Sequence, residues 1–147
     1  MDEKLFENNL KLLSKASDKL IYKIAQKYEM SVIELNILLF LKFNMENNLA
    51  KDIVDYLGTT KSHVSKAINN LIDKKMIIRV PDDSDNKKLH LILTDKTKEV
   101  IDTAIEERKK IKNILLDGIS DQDVITLKRI INKMYENINS FTNNREE

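Results

Sequence analysis

Lys61, Ser62, His63, Ser65 and Lys66 lie within six consecutive positions, preceded by Thr60 and followed by Asn69. Ammonium groups neutralise phosphate, short hydroxyls donate to phosphate or to either base, and imidazole or amide edges can meet base edges. Such a set performs no covalent step; its chemistry is ion pairing and hydrogen bonding to a polyanion. A second set follows at Arg79, Asp85, Asn86, Lys87 and Lys88, around the run "RVPDDSDNKK". From Gly58 to Arg79 the cations Lys61, Lys66, Lys74, Lys75 and Arg79 are offset by Asp73 alone, in a chain whose 25 basic and 24 acidic residues nearly cancel. Bulk charge therefore draws the molecule to neither nucleic acid nor membrane, and phosphate contact must come from this local excess.

The first set needs a helix to present it. Val64, Ala67, Ile68 and Leu71 recur at spacings of three and four, which places them on one buried face and leaves the polar residues, with Asn70, on the other. Thr59 or Thr60 stands where it can cap that helix. Gly58 stands where a shorter one would end, about Ala50 to Tyr56, with Ile53, Val54 and Leu57 turned inward. Short helix, glycine turn and second helix make a helix-turn-helix, whose second helix enters the major groove. Asn69 and Asn70 come late and are expected to insert less; the alternative for the whole face is plain solvation. "MIIRVP" and "LHLILT" then switch to a strand pattern around "DDSDNKK". They predict a hairpin with a loop of about six or seven residues and Leu89, Leu91 and Leu93 on its buried side. A helix-turn-helix followed at once by a hairpin is a winged helix. Its tip would bring Lys87 and Lys88, beyond the acidic Asp82, Asp83 and Asp85, to the minor groove or its flanking phosphates.

Helices are expected on both sides of this unit. Ser31 and Glu34 have the form of a capping box opening a helix through "VIELNILLFLKF". That stretch is apolar nearly all round, so it should sit at the centre of the fold with Phe40 and Phe43 in the core. From Leu5 to about Lys27 the period is helical, with Phe6, Leu10, Leu13, Leu20 and Ile24 on one seam and Lys11, Lys15, Lys19, Lys23 and Lys27 forming a solvated stripe. A long helix from Thr94 to near Gly118 carries Val100, Ile101, Ala104, Ile105, Arg108, Ile111 and Leu115 along its inner side. Ser120 with Asp123 signals a last one, with Val124, Leu127, Ile130, Ile131, Met134 and Ile138 at heptad-like spacing and a frayed end at "TNNREE". These outer helices carry more apolar surface than a small winged helix covers, so packing across a two-fold dimer is expected, with a monomeric bundle as the alternative. The expected architecture is mainly α with a small β-hairpin wing in one compact chain. Residues 31–94 form the winged helix-turn-helix, and residues 1–30 and 95–147 supply the dimerisation helices.

Composition narrows the chemistry further. Without cysteine there is no disulfide, thiol nucleophile, thiol redox sensor or thiolate metal site, which fits a reducing, cytoplasmic setting. "MDEKLFENNLKLL" lacks the basic and apolar segments of a signal peptide, and no apolar run approaches the roughly 18 residues of a membrane span. His63 and His90 belong to no cluster of metal ligands. No glycine-rich phosphate loop, nucleophile with base or framed carboxylate pair is present, so no enzyme, cofactor or metal is expected.

The run "DIVDYLGTTKSHVSKAINNLIDKKMIIRVPDDSDNKKLHLILT" resembles the DNA-binding core of the MarR (multiple antibiotic resistance regulator) family of bacterial transcription factors. Its most specific parts are "KSHVSKAINNL", "IIRVPDDSDNKK" and "LILT", and the helix order extends the resemblance over nearly the whole chain. The resemblance implies a homodimer of winged helices on a palindromic operator, often released by a small-molecule effector. Tyr22, Tyr28, Phe40 and Phe43 are equally candidates for core and for an effector pocket. The chain departs from the family pattern at Lys75 and Thr97, where glycine is usual, and at Asn86 and Lys87, where arginines usually follow the acidic Asp85. Arginine suits a narrow minor groove better than asparagine, so the wing should grip less or elsewhere.

The expected function is a homodimeric transcription regulator on double-stranded DNA, acting as a repressor. The competing reading is a winged helix used for protein interaction, or a regulator whose DNA affinity has been lost, suggested by the near-neutral charge and the altered wing.

Overall fold

The computed structural model describes residues 3–143. Among them the order is α1 (Glu3–Lys27), α2 (Val32–Phe43), α3 (Ala50–Leu57), α4 (Lys61–Asp73), β1 (Ile77–Pro81), β2 (Leu89–Leu93), α5 (Lys98–Leu115) and α6 (Asp121–Asn143), with one 3-10 turn at Asp95–Thr97. The chain forms two compact units, one ending at Glu107 and the other beginning at Arg108, and α5 runs from one into the other. The first unit contains the winged helix expected from the sequence, mainly α with a small β-hairpin, together with α1 and the first part of α5. Of the segment "TNNREE", Thr142 and Asn143 lie in α6 and the last four residues fall outside those described.

The first unit is built around α2. Ser31 caps it in both directions: its Oγ accepts from the Glu34 N–H at 3.2 Å, and its own N–H donates to Glu34 Oε2 at 2.9 Å. Leu35 and Ile37 to Leu41 are buried along the helix. Around them gather Ile21, Ile24 and Ala25 of α1, Ile53 of α3, Val64, Ala67, Ile68 and Leu71 of α4, Ile77 and Leu91 of the hairpin, and Val100, Ile101 and Ala104 of α5. Tyr28 ties the end of α1 to α5, donating to Glu99 Oε1 at 3.1 Å and lying 2.8 Å from Thr103 Oγ1. Burial of this apolar surface, about 25 cal/mol per Å2, drives the assembly.

Two details correct the sequence expectation. Phe43, expected in the core, is exposed, as is Val32 at the other end of the same helix. The core covers the middle of α2 but not its first and last turns. On the hairpin, Leu91 is buried and Leu93 half-buried, yet Leu89 is exposed, because burial fades from the base of the wing toward its tip.

Both α1 and α4 end in the same way without glycine. Met30 N–H donates to Ala25 O and Glu29 N–H to Gln26 O; Met76 N–H donates to Leu71 O and Lys75 N–H to Ile72 O. These are Schellman turns, which place one residue in the left-handed region. Glu29 and Lys75 occupy it at φ 52° and 59°. A side chain at such a φ costs roughly 1 kcal/mol relative to glycine. Lys75→Gly is therefore expected to stabilise the protein by about 1 kcal/mol, read as a higher urea midpoint at constant m-value; a lower midpoint would contradict the strain. Thr97, the other position where glycine was usual, carries no such strain: it is buried, and its Oγ1 donates to Thr94 O at 2.7 Å.

In the second unit Asp123 N–H donates to Ser120 Oγ at 3.1 Å, the cap expected for α6. Leu127, Ile130, Ile131 and Met134 are exposed on that helix in the single chain, and Leu10 and Leu13 are exposed on the N-terminal half of α1.

Candidate nucleic-acid interface

Gly58 ends α3 in the left-handed conformation at φ 58°, and its N–H donates to Val54 O at 3.0 Å. Two residues later Thr60 caps α4, its Oγ1 accepting from His63 N–H at 3.3 Å. The threonine oxygen is thus occupied by the turn, while its hydroxyl proton remains available to an outside acceptor. Val64, Ala67, Ile68 and Leu71 fix the inner face of α4, and Lys61, Ser62, His63, Ser65, Lys66 and Asn69 are all exposed on the outer one.

Helical periodicity divides that outer face into two rows. Lys61, Ser65 and Asn69 form the row toward the wing, where Arg79 Nη2 donates to Asn69 Oδ1 at 2.8 Å. Ser62 and Lys66 form the other row, which continues to Asn70. Asn70 is exposed but already engaged: its Nδ2 donates to Glu34 Oε1 at 2.9 Å.

Lys74 also departs from the sequence expectation, which counted it among the cations facing phosphate. Its Nζ donates to Glu34 Oε2 and to Glu29 O, both at 3.0 Å, so its charge is already matched. Glu34 is almost fully buried. Burial alone would raise its pKa, but the Ser31 N–H, Lys74 and Asn70 outweigh it and hold the carboxyl below its ordinary range. The far end of α4 is therefore an anchor.

The wing is an antiparallel pair with Ile77 opposite Leu93 and Pro81 opposite Leu89, and a seven-residue loop from 82 to 88. Thr94 fastens its base, donating through Oγ1 to Lys75 O at 2.8 Å. Within the loop Asp85 shapes the backbone: Oδ1 accepts from Lys87 N–H at 3.1 Å and its carbonyl from Lys88 N–H at 2.8 Å. Among the residues singled out at the wing, Asp85 thus holds the backbone that carries the two lysines. Asn86, Lys87 and Lys88 are exposed.

One groove joins the two sets. Arg79, Lys87, Lys88 and Leu89 of the wing, Ser65 and Ile68 of α4, and Lys51 at the start of α3 line it together. An adjoining hollow adds Lys61 and Asp55 and shares Lys51 and Ser65. Ser62, His63 and Lys66 lie outside both, on the open side of α4. Lys51 was not singled out from the sequence; its position one residue into a predicted helix-turn-helix was the available signal. The five cations Lys51, Lys61, Arg79, Lys87 and Lys88 meet Asp55 as the one acid among these lining residues. Such a surface suits a phosphate backbone. Among the described residues no group of three histidine, aspartate or glutamate side chains is placed to hold a metal, and no helix is long and apolar enough to cross a membrane.

Residues 19–104 match the model of a family described as transcriptional regulator SarA/Rot. The chain belongs to that family. As a member of the SarA/Rot family it also has the fold of MarR-type regulators. It is similar to a MarR transcriptional regulator from Methanosarcina mazei (19% identity, 95% of this chain and 99% of that one, TM-score 0.75). It is also similar to a MarR protein from Peptoclostridium difficile (21%, 94% and 89%, TM-score 0.73). A third similar structure is a Staphylococcus aureus MepR variant bound to an oligodeoxyribonucleotide (18%, 90% and 97%, TM-score 0.60). The matched family segment spans the whole SarA/Rot-type winged helix, from the last turns of α1 to the first turns of α5, and contains every residue of the groove.

Proposed function

We propose that this transcriptional regulator binds double-stranded DNA sequence-specifically as a homodimer, acting as a repressor in the cytoplasm. The observation that carries the proposal is the groove in which the outer face of α4, the start of α3 and the wing present cations together. Lys61 and Ser65 would enter the major groove with Ser62, His63 and Lys66 on the open side, while Lys51, Arg79, Lys87 and Lys88 would follow the phosphates beside it. Asn69, held by Arg79, would set the angle of the wing more than read a base.

The exposed apolar residues of α6 and of the first half of α1 support the dimer, which would use these outer helices as its interface. Two recognition helices about one DNA turn apart, roughly 34 Å, call for a pseudo-palindromic operator. A small-molecule effector would release it by favouring a dimer in which that spacing is wrong.

Two measurements on the full chain test this reading. Sedimentation at micromolar concentration is expected to give twice the chain mass, and a monomer would contradict it. Selection of bound sequences from random DNA is expected to return an inverted repeat. Binding that is weak and indifferent to sequence would favour the protein-interaction reading instead.

A further inference from the structure

We propose that His90 is a positioning residue, held between Asp82 and Asn48, that sets the wing against the helix-turn-helix and makes operator affinity rise as its ring gains a proton. The inference rests on the DNA-binding reading above. His90 Nε2 lies 3.0 Å from Asp82 Oδ2, and Nδ1 meets Asn48 Oδ1 on the other side. Each partner is an organising point in its own element. Asp82 opens the wing loop, its Oδ1 accepting from Ser84 N–H at 2.8 Å, Ser84 Oγ at 2.6 Å and Asp85 N–H at 3.0 Å. Asn48 is buried in the connection between α2 and α3, and its carbonyl accepts from Leu91 N–H at 2.9 Å. His90 therefore bridges the loop that carries Lys87 and Lys88 to the body that carries α3 and α4.

The ring faces an oxygen at both nitrogens, and only the imidazolium donates to both. Loss of the proton leaves one contact without its hydrogen, so one end of the bridge is released, and a positive charge leaves the wing at the same time. Ser84 and His90 hold the Asp82 carboxyl below the usual carboxylate range, so it remains an anionic partner for the ring. The other groups facing the ring alter this little: Val80, opposite it on β1, is uncharged. Lys42 of α2 lines a separate hollow with Asn48 and Leu91 that does not include the ring.

The chain has two histidines, so the full-length His63→Gln protein leaves His90 as the one imidazole. In that background, NMR between about pH 5 and 8 is expected to show the backbone amides of residues 84–88 moving with the His90 ring. Anisotropy with a DNA fragment obtained by selection is expected to show affinity rising about fivefold toward acid around the same midpoint. His90→Gln in the same background should give a flat profile at or below the alkaline affinity. Wing amides that ignore the ring, as when the Asn48 amide turns over to meet a bare nitrogen, would overturn the bridge; an unchanged pH profile in His90→Gln would do the same. Absence of DNA binding at every pH in the unsubstituted chain overturns the function proposed above; absence in the His63→Gln background alone counts against neither, and the amide titration then decides the bridge by itself.

Discussion

Replacement of Glu34 by alanine is expected to destabilise the protein by about 3 kcal/mol, seen as a lower urea midpoint. Its carboxylate accepts from the Ser31 N–H, Asn70 Nδ2 and Lys74 Nζ, so truncation strands three donors, one of them charged. An unsatisfied buried donor costs roughly 1 to 3 kcal/mol, and breaking a buried ion pair by removing one partner costs more than the pair contributed. Asn70 is exposed and Lys74 partly exposed, which lets water take over some of their loss and keeps the expected figure at the lower end. Glu34→Gln retains the shape but not the charge and should lose about half as much. The sign with pH follows from the lowered carboxyl. Its stabilising contribution is complete above the ordinary value of 4.5 and is lost as pH falls below that value. Wild type should therefore lose part of its advantage over Glu34→Gln on acidification; equal midpoints at neutral pH would refute the anchor.

The joint substitution Lys61→Ala, Lys66→Ala is expected to weaken binding to a selected operator about a hundredfold, from roughly 1 to 2 kcal/mol per contact. Both side chains are exposed on α4, so the urea midpoint should hardly move, which separates a binding effect from unfolding. The slope of log affinity against log salt should fall by about 2, since each phosphate contact contributes roughly 0.9. A loss confined to the selected sequence, with an unchanged slope, would instead mean that the lysines read bases.

Local signals made most of the fold legible. The capping pair Ser31 and Glu34, the left-handed Gly58, the Thr60 cap and the inner face of α4 each depend on residues whose successive members lie within four positions. The Lys75 left-handed turn was marked by resemblance, at the place where glycine is usual. Contacts over longer stretches were not legible. Glu34 meets Asn70 and Lys74 across 36 and 40 positions, and Asn48 meets His90 across 42. Polarity alone left Asn70 and Lys74 without partners, because hydrophobic period does not reveal a buried carboxylate waiting on a neighbouring helix. Phe43 and Leu89 failed for a related reason: periodicity tells which side of an element is apolar, not how far the body beneath it extends. Lys51 was passed over because the charge excess was sought along the chain, whereas the groove collects its cations from three elements.

The anchoring of α4 separates two properties that are often entangled. Its position is fixed by Thr60 at one end, Asn70 and Lys74 at the other, and four apolar residues beneath. Lys61, Ser62, Ser65 and Lys66 take part in none of these attachments. If these four side chains read DNA as proposed, sequence preference could consequently drift, or be re-engineered by exchanging those four positions, without each trial passing through a destabilised intermediate. Descendants of such a chain would be free to acquire new target genes while inheriting the same scaffold.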